Sequence, residues 1–294
     1  MTLPGNPTSA RRLLALPAVL YLVVLTQVPL ALTLFHSVYR WNLLRPETRV
    51  FAGLGSYAAV VRDPAFCPVL RTTVVLTASV IALTFGIGLG LALLLHREFP
   101  GRNLARTLAI TPFLLMPTVS AVLWKNVLLD PTFGLISVGA AAMGLGSVDP
   151  LTSYPLASVI AIMTWEWTPF MMLILLAGLQ SLPEEQLEAA RIDGARSITT
   201  FRFIILPHLR RYAEVAVLLE VLFVLSLFAE IFVATSGGPG LATTNLTYQI
   251  FREAFERWNI GRASALGVLA VLFANAILLL FARVLHRGQA ERWA

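Results

Sequence analysis

Two carboxylates stand inside stretches that are otherwise apolar: Glu166 in the run Leu156 to Leu179, and Glu220 in the run Tyr212 to Thr235. Met163, Glu166, Trp167 and Phe170 recur at three- and four-residue spacing, as do Glu220, Val224 and Leu227, so each set shares one helical face. A carboxylate accepts hydrogen bonds from hydroxyl donors, and an aromatic face covers the apolar C–H side of a pyranose. Together the two sets could contact a hydroxyl-rich ligand along a pathway. The same groups also serve as polar glue between helices, as a protonated buried acid, or as plain packing. Glu230, near the outer end of its run, reads as interfacial.

Covalent chemistry finds no support. The chain has no HExxH or GxSxG pattern and no carboxylate pair close in sequence, and its four histidines are not spaced as a metal or catalytic pair. Cys67 is the only cysteine, which excludes an internal disulfide and a cysteine-based metal cluster. Lys125 is the only lysine and sits between Trp124 and Asn126. A phosphate-binding loop needs Gly-Lys-Ser/Thr, so any ATP must be handled by a partner.

These side chains are carried by elements that belong in a bilayer. Hydrophobic residues make up 57% of 294, and the mean hydropathy is +0.77. The pI near 10.1 does not point to nucleic acid, because the arginines lie at the ends of apolar runs, as interfacial anchors do. Six runs reach the ~20 residues needed to cross a ~30 Å hydrocarbon core: Leu13 to Phe35, Thr72 to Leu95, Ala105 to Leu128, Leu156 to Leu179, Tyr212 to Thr235, and Ala263 to His286. The first follows Arg11 and Arg12 but is too long for a signal peptide's apolar core, so it reads as a retained span. The expected fold is an all-α integral membrane protein with six transmembrane helices. The chain reads as one transmembrane domain over 1–294. Within it lie an N-terminal span and outer loop (1–69), a five-helix core (70–286) and a central loop (181–207).

With the N-terminus inside, inner segments hold Arg11, Arg12, Arg97, Arg102, Arg106, the five arginines between the fourth and fifth runs (Arg191, Arg196, Arg202, Arg210 and Arg211), Arg283, Arg287 and Arg292. That is 13 of the 22 basic residues, a modest inward bias. Gly86 and Gly90, four apart, suggest a face where a neighbouring helix comes close. Pro17, Pro29, Pro112, Pro117 and Pro169 fall where they kink spans.

The central stretch Ser181 to Pro207 looks soluble. Ser181 with Glu184 three residues on is a capping-box pattern, Pro183 falls in the first turn, and acidic residues there complement the helix dipole. Gly194 supplies the stop, a second helix follows, and Pro207 closes it. Ala189 and Ala190 leave a shallow notch suited to docking.

The run Glu188 to Ala195, EAARIDGA, with Phe201, Ile204, Leu206 and Pro207, resembles the cytoplasmic loop of ABC importer permeases. Ala177 to Glu185 is similar to the same family, as are Trp124 to Asp130 with Pro131, Gly134, Leu135 and Ile136. So is Thr235 to Phe255, TSGGPGLATTNLTYQIFREAF, which resembles the extracytoplasmic loop of its carbohydrate branch, the maltose- and glycerol-phosphate-type permeases. The resemblance implies the type I importer fold and a coupling helix, with Glu185, Glu188, Ala189, Ala190, Asp193, Gly194, Ala195 and Pro207 at the ATPase. It implies that Gly237, Gly238, Pro239 and Thr244 meet an extracytoplasmic solute-binding protein. It further implies a second related permease subunit, an ATPase dimer carrying ATP and Mg, a bacterial inner-membrane location, cytoplasmic termini, and no enzyme activity or cofactor of this chain's own. The competing reading is an ion-gradient-driven secondary transporter or channel working through Glu166 and Glu220.

Overall fold

The structure is a computed structural model and describes residues 7–144, 146 and 148–290; Arg292 of the inner charge set lies outside them. In chain order it runs α1 (Pro7–Ser37), β1 (Tyr39–Asn42), β2 (Arg45–Phe51), α2 (Gly55–Val61), α3 (Phe66–His96), α4 (Arg102–Leu114) and α5 (Pro117–Leu123). There follow α6 (Leu135–Ala142), α7 (Pro150–Ser153), α8 (Pro155–Gln180), α9 (Glu184–Ile192), α10 (Ser197–Thr200), α11 (Leu206–Leu225), α12 (Ala229–Ala234), α13 (Leu246–Phe251) and α14 (Ile260–Ala290). Wide π turns at Trp124–Leu128, Phe201–Ile205 and Arg252–Glu256 join some of these.

Among the described residues, four helices are long and apolar enough to cross a membrane: α1 from Leu16, α3, α8, and α14 to Leu280. The expected third span is not one straight helix. Leu115 and Met116 are extended, α5 starts at Pro117, and the two halves meet at 101°. The residue before a proline is driven out of the helical region, which fixes the break there. The expected fifth span is likewise interrupted. It starts earlier, at Leu206, stops at Leu225 and resumes at Ala229. Arg210, Arg211, Glu214 and Glu220 within α11 take it outside the set of plainly apolar helices.

The contacts divide the chain into two units. One comprises Met1–Asp63 with Ile250–Leu272; the other comprises Pro64–Gln249 with Phe273–Ala294. The first holds a feature that spacing did not foretell, an antiparallel hairpin pairing Tyr39 with Phe51 and Asn42 with Arg45. Asn42 Oδ1 accepts the Leu44 N–H at 2.8 Å and so shapes the turn. The Arg49 guanidinium lies 4.6 Å from the Tyr39 ring centre, with Phe35 and Trp41 also within cation–π reach. In the same unit the buried Glu253 pairs with both Arg257 and Arg262, and Arg262 also pairs with Asp63.

The second unit is built on α3, α8 and α11, whose Ala92, Met171, Met172, Leu175, Leu179, Leu209 and Val221 form its core. Lipid tails are as apolar as leucine, so this packing is held by close van der Waals contact rather than by escape from water. The close approach of α3 to α8 occurs at Gly88, not at the expected pair Gly86 and Gly90, which face open space. A Cβ at Gly88 would lie 3.0 Å from Met171 Cγ and 3.1 Å from the Met172 amide nitrogen. The four-residue spacing of Gly86 and Gly90 marked a small face, but not which face of α3 meets a neighbour. Gly88→Val should therefore lower stability by about 1–3 kcal/mol, as overpacking of a filled core does. Thermal unfolding of the purified protein would read this, with Gly86→Ala expected to stay close to wild type.

Candidate functional site

The soluble-looking stretch forms the expected helix and stop, with a different start. α9 begins after Pro183, and no side chain caps it. The Ser181 hydroxyl is used elsewhere: it donates to Gly178 O at 2.8 Å and lies 3.1 Å from His208 Nε2 and 2.6 Å from the Tyr212 hydroxyl. At the other end Gly194 takes φ +72°, its N–H bonds Arg191 O at 3.1 Å, and Ala195 N–H bonds Ala190 O at 2.9 Å. Those two bonds satisfy carbonyls that the helix end leaves bare, and the positive φ favours glycine.

Pro207 does not close a helix. The chain runs helically from Ser197 through the wide turn into α11, with Pro207 at the start of that helix. The turn carries an i→i+5 bond from Leu206 N–H to Phe201 O, and a proline in the first turn of α11 loses no bond that the turn required. α9 is thus joined to α8 by three residues, Ser181 to Pro183, and to α11 by the four-residue turn Asp193 to Arg196 followed by the helical run from Ser197. Glu185, Glu188, Ala189, Asp193 and Gly194 are exposed, and Ala195 is half-buried. Ala190 is buried against its own chain and Pro207 half-buried, so these two shape the element rather than offer a docking face. Spacing missed the apolar knobs Ile192, Ile198 and Phe203, of which Ile192 is 87% exposed. Their signal was present: an isoleucine between Arg191 and Asp193 has no reason to face water in isolation.

In the spans, Trp167 and Phe170 meet Phe113 of α4 and Phe223 of α11. The Trp167 and Phe223 rings stack at 5.2 Å, and Phe113 stands edge-on to Trp167 at 5.8 Å. Phe113 and Phe223 remain partly exposed on this chain, and the Trp167 Nε1–H has no acceptor. Phe223 was within reach of sequence reasoning, three residues after Glu220; Phe113 was not, because only the bent α4–α5 pair brings it in.

The carboxylates are placed apart from those rings. Glu166, 3% exposed, faces Ser120 of α5 and Glu230 of α12. Glu220 faces Thr84 of α3, whose single hydroxyl proton already goes to Ile81 O at 3.1 Å. No described contact joins Glu166 to Glu220. Glu230, expected at an interface, is fully buried, because the break at Ser226 to Phe228 turns α12 back against α5 and α8. Met163, Val224 and Leu227 are buried in helix packing, since neighbouring helices use the face that they occupy.

The loop after α12 is also partly internal. Thr244 is 0% exposed and donates its hydroxyl to Gly237 O at 2.9 Å, and Gly237, at φ +77°, is buried against the Tyr248 ring. Neither residue is exposed on this chain, whereas Pro239 is exposed and Gly238 half-buried. Gly238 and Pro239 border a groove of about 380 Å³ shared with Lys125, Asp130 and Asp149. Lys125 Nζ donates to Val233 O at 2.9 Å, and the Thr132 and Phe133 amides donate to the Asp130 carboxylate, holding its pKa below the usual value. Among the described residues no group of three or more His, Cys, Asp or Glu could hold a metal.

Residues 68–291 match the family model described as the binding-protein-dependent transport system inner membrane component. The chain belongs to that family. Among relatives, this permease is 35% identical to a probable ABC transporter permease protein, y4oQ, of Sinorhizobium fredii over 89% of this chain and 85% of the other. It is 30% identical to the trehalose transport system permease protein SugA of Mycobacterium tuberculosis, over 95% of this chain and 91% of the relative. It is 31% identical to the trehalose/maltose transport system permease protein MalF of Thermococcus litoralis, over 92% of each. In fold it matches a chain of a bacterial ABC transporter that imports the acidic polysaccharide alginate, with a TM-score of 0.81, 19% identity and 95% of each chain covered. The architecture is that of type I importer permeases.

Gly237→Val would set a Cβ about 2.5 Å from the Tyr248 ring and strain a positive φ, so the melting temperature should fall. Thermal unfolding of the purified protein would show this.

Proposed function

We propose that this permease is one of two transmembrane subunits of an ATP-driven, binding-protein-dependent importer for a carbohydrate. A second, related permease completes the pathway, an ATPase dimer carries ATP and Mg, and an extracytoplasmic solute-binding protein delivers the sugar. The chain lies in the bacterial inner membrane with both termini cytoplasmic, and it contributes no step of the hydrolysis itself.

The observation that carries this reading is the exposed helix α9, fastened at both ends to long helices. The α8 end is held by the Ser181 bonds to His208 and Tyr212, and Gly178 lets the Tyr212 ring approach α8 directly. Force applied at Glu185, Glu188 or the exposed Ile192 therefore reaches α8 and α11 together. These two helices carry Trp167, Phe170 and Phe223, so closure of the ATPase would shift the aromatic patch relative to a facing subunit. That is alternating access by rigid-body motion.

The carbohydrate assignment is supported by the names of the relatives and by the chemistry of the patch. The partly exposed rings of Phe113 and Phe223 can cover the C–H face of a sugar. The domain limits 1–69, 70–286 and 181–207 belong to the same proposal, as do the six crossings, with α4–α5 and α11–α12 each completing one.

Purification through a tag on this chain should bring down an ATPase whose hydrolysis is stimulated by sugar-loaded binding protein. Glu188→Lys and Gly194→Asp should leave membrane insertion intact and cut uptake about tenfold, the effect of ~1.4 kcal/mol of lost docking energy. Absence of a co-purifying ATPase, with uptake following a proton or sodium gradient, would overturn the proposal.

A further inference from the structure

The inner end of α3 and the segment from α9 to the wide turn enclose a cavity of about 480 Å³. Its ionisable side chains are all basic. His96 and Arg97 enter from the end of α3 and Arg191 from α9, and no carboxylate lines it. Among the described residues neither arginine side chain has an ion-pair partner. The hydroxyls of Ser197 and Thr200 share the wall, and Thr200 donates to Arg196 O, which leaves its lone pairs free. The remaining lining is apolar, with Leu93 on α3 facing Leu187 and Ile205 across the cavity.

The position selects the occupant. The apolar span α3 ends at His96, so Arg97 lies at the depth of lipid headgroups while Leu93, a turn earlier, lies at the start of the acyl region. A ligand that satisfies both needs an anionic head and a hydrocarbon tail. We propose that the cavity binds an anionic phospholipid, its phosphate between Arg97 and Arg191 and an acyl chain along Leu93 and Ile205. Basic pockets between helices at the membrane surface hold such headgroups. A lipid seated there touches both α3 and α9, so it would set how stiffly the docking helix is held against the core. Assignment to the inner leaflet rests on the proposed function; binding of the lipid does not.

The test is native mass spectrometry of the complex purified through this chain and exchanged into detergent with phosphatidylglycerol or phosphatidylcholine. Phosphatidylglycerol should be retained in preference. Arg97→Ala with Arg191→Ala should weaken retention about 25-fold, fivefold for each, since a basic residue near an anionic headgroup is worth about 1 kcal/mol. Arg97→Lys with Arg191→Lys should keep most of it, which separates lost charge from lost folding. Equal retention of the two lipids, or an alanine pair that retains phosphatidylglycerol as wild type does, would overturn the proposal. An alanine pair that sheds a bound ATPase while keeping its lipid would mark the cavity as a protein dock, and would overturn it too. Preferential lipid retention without any co-purifying ATPase would leave the lipid site standing and remove the importer reading instead.

Discussion

The junction of α8 with α11 governs what the rest of this permease can do. Ser181, His208 and Tyr212 share hydrogen bonds there, and Gly178 has no side chain because the Tyr212 ring and Leu209 occupy the space that one would fill: a Cβ would lie 2.7 Å from that ring. A bond between neutral groups is worth about 1 kcal/mol in water, and the gain here is geometric as much as energetic. These bonds add to the packing of Leu175 and Leu179 against Leu209 and Val221, and they tie the α8 end of α9 to both flanking helices.

A membrane sets a second constraint, which explains why the core looks as it does. Apolar burial gives little net gain against lipid, so specificity comes from close fit at Gly88 and Gly178 and from the polar groups that lipid will not accept. Glu166 and Glu230 face one another beside Ser120, and Glu220 sits opposite Thr84; each is turned into the protein and away from the hydrocarbon. The aromatic patch made by Phe113, Trp167, Phe170 and Phe223 lies separately and is partly open.

Much of this was legible from residue order. Long apolar runs announce spans because length and composition decide insertion, and the Glu188 to Ala195 motif marked the exposed helix α9 together with its glycine stop. Proline was harder to read. Pro117 and Pro207 both stand in the first turn of a helix, but the chain before Pro117 is extended and redirected whereas the chain before Pro207 is helical; the wide turn at Phe201–Ile205 made the difference. Face assignment failed where tertiary contacts decide it, as with Gly88 against Gly86 and Gly90. Glu230 and Thr244 were expected at surfaces, and the loop that buries them is defined by contacts distant in sequence, such as Leu246 N–H to Thr73 Oγ1 at 3.0 Å.

The central claim is that the α8–α11 junction passes ATPase motion to the spans. The most direct measurement is the number of sugar molecules taken up per ATP hydrolysed by reconstituted complex carrying Ser181→Ala with Tyr212→Phe. The account predicts normal assembly and hydrolysis with fewer sugars moved per ATP, because force on α9 would no longer reach both helices together. An unchanged ratio in that variant would contradict it and leave the junction a matter of packing alone.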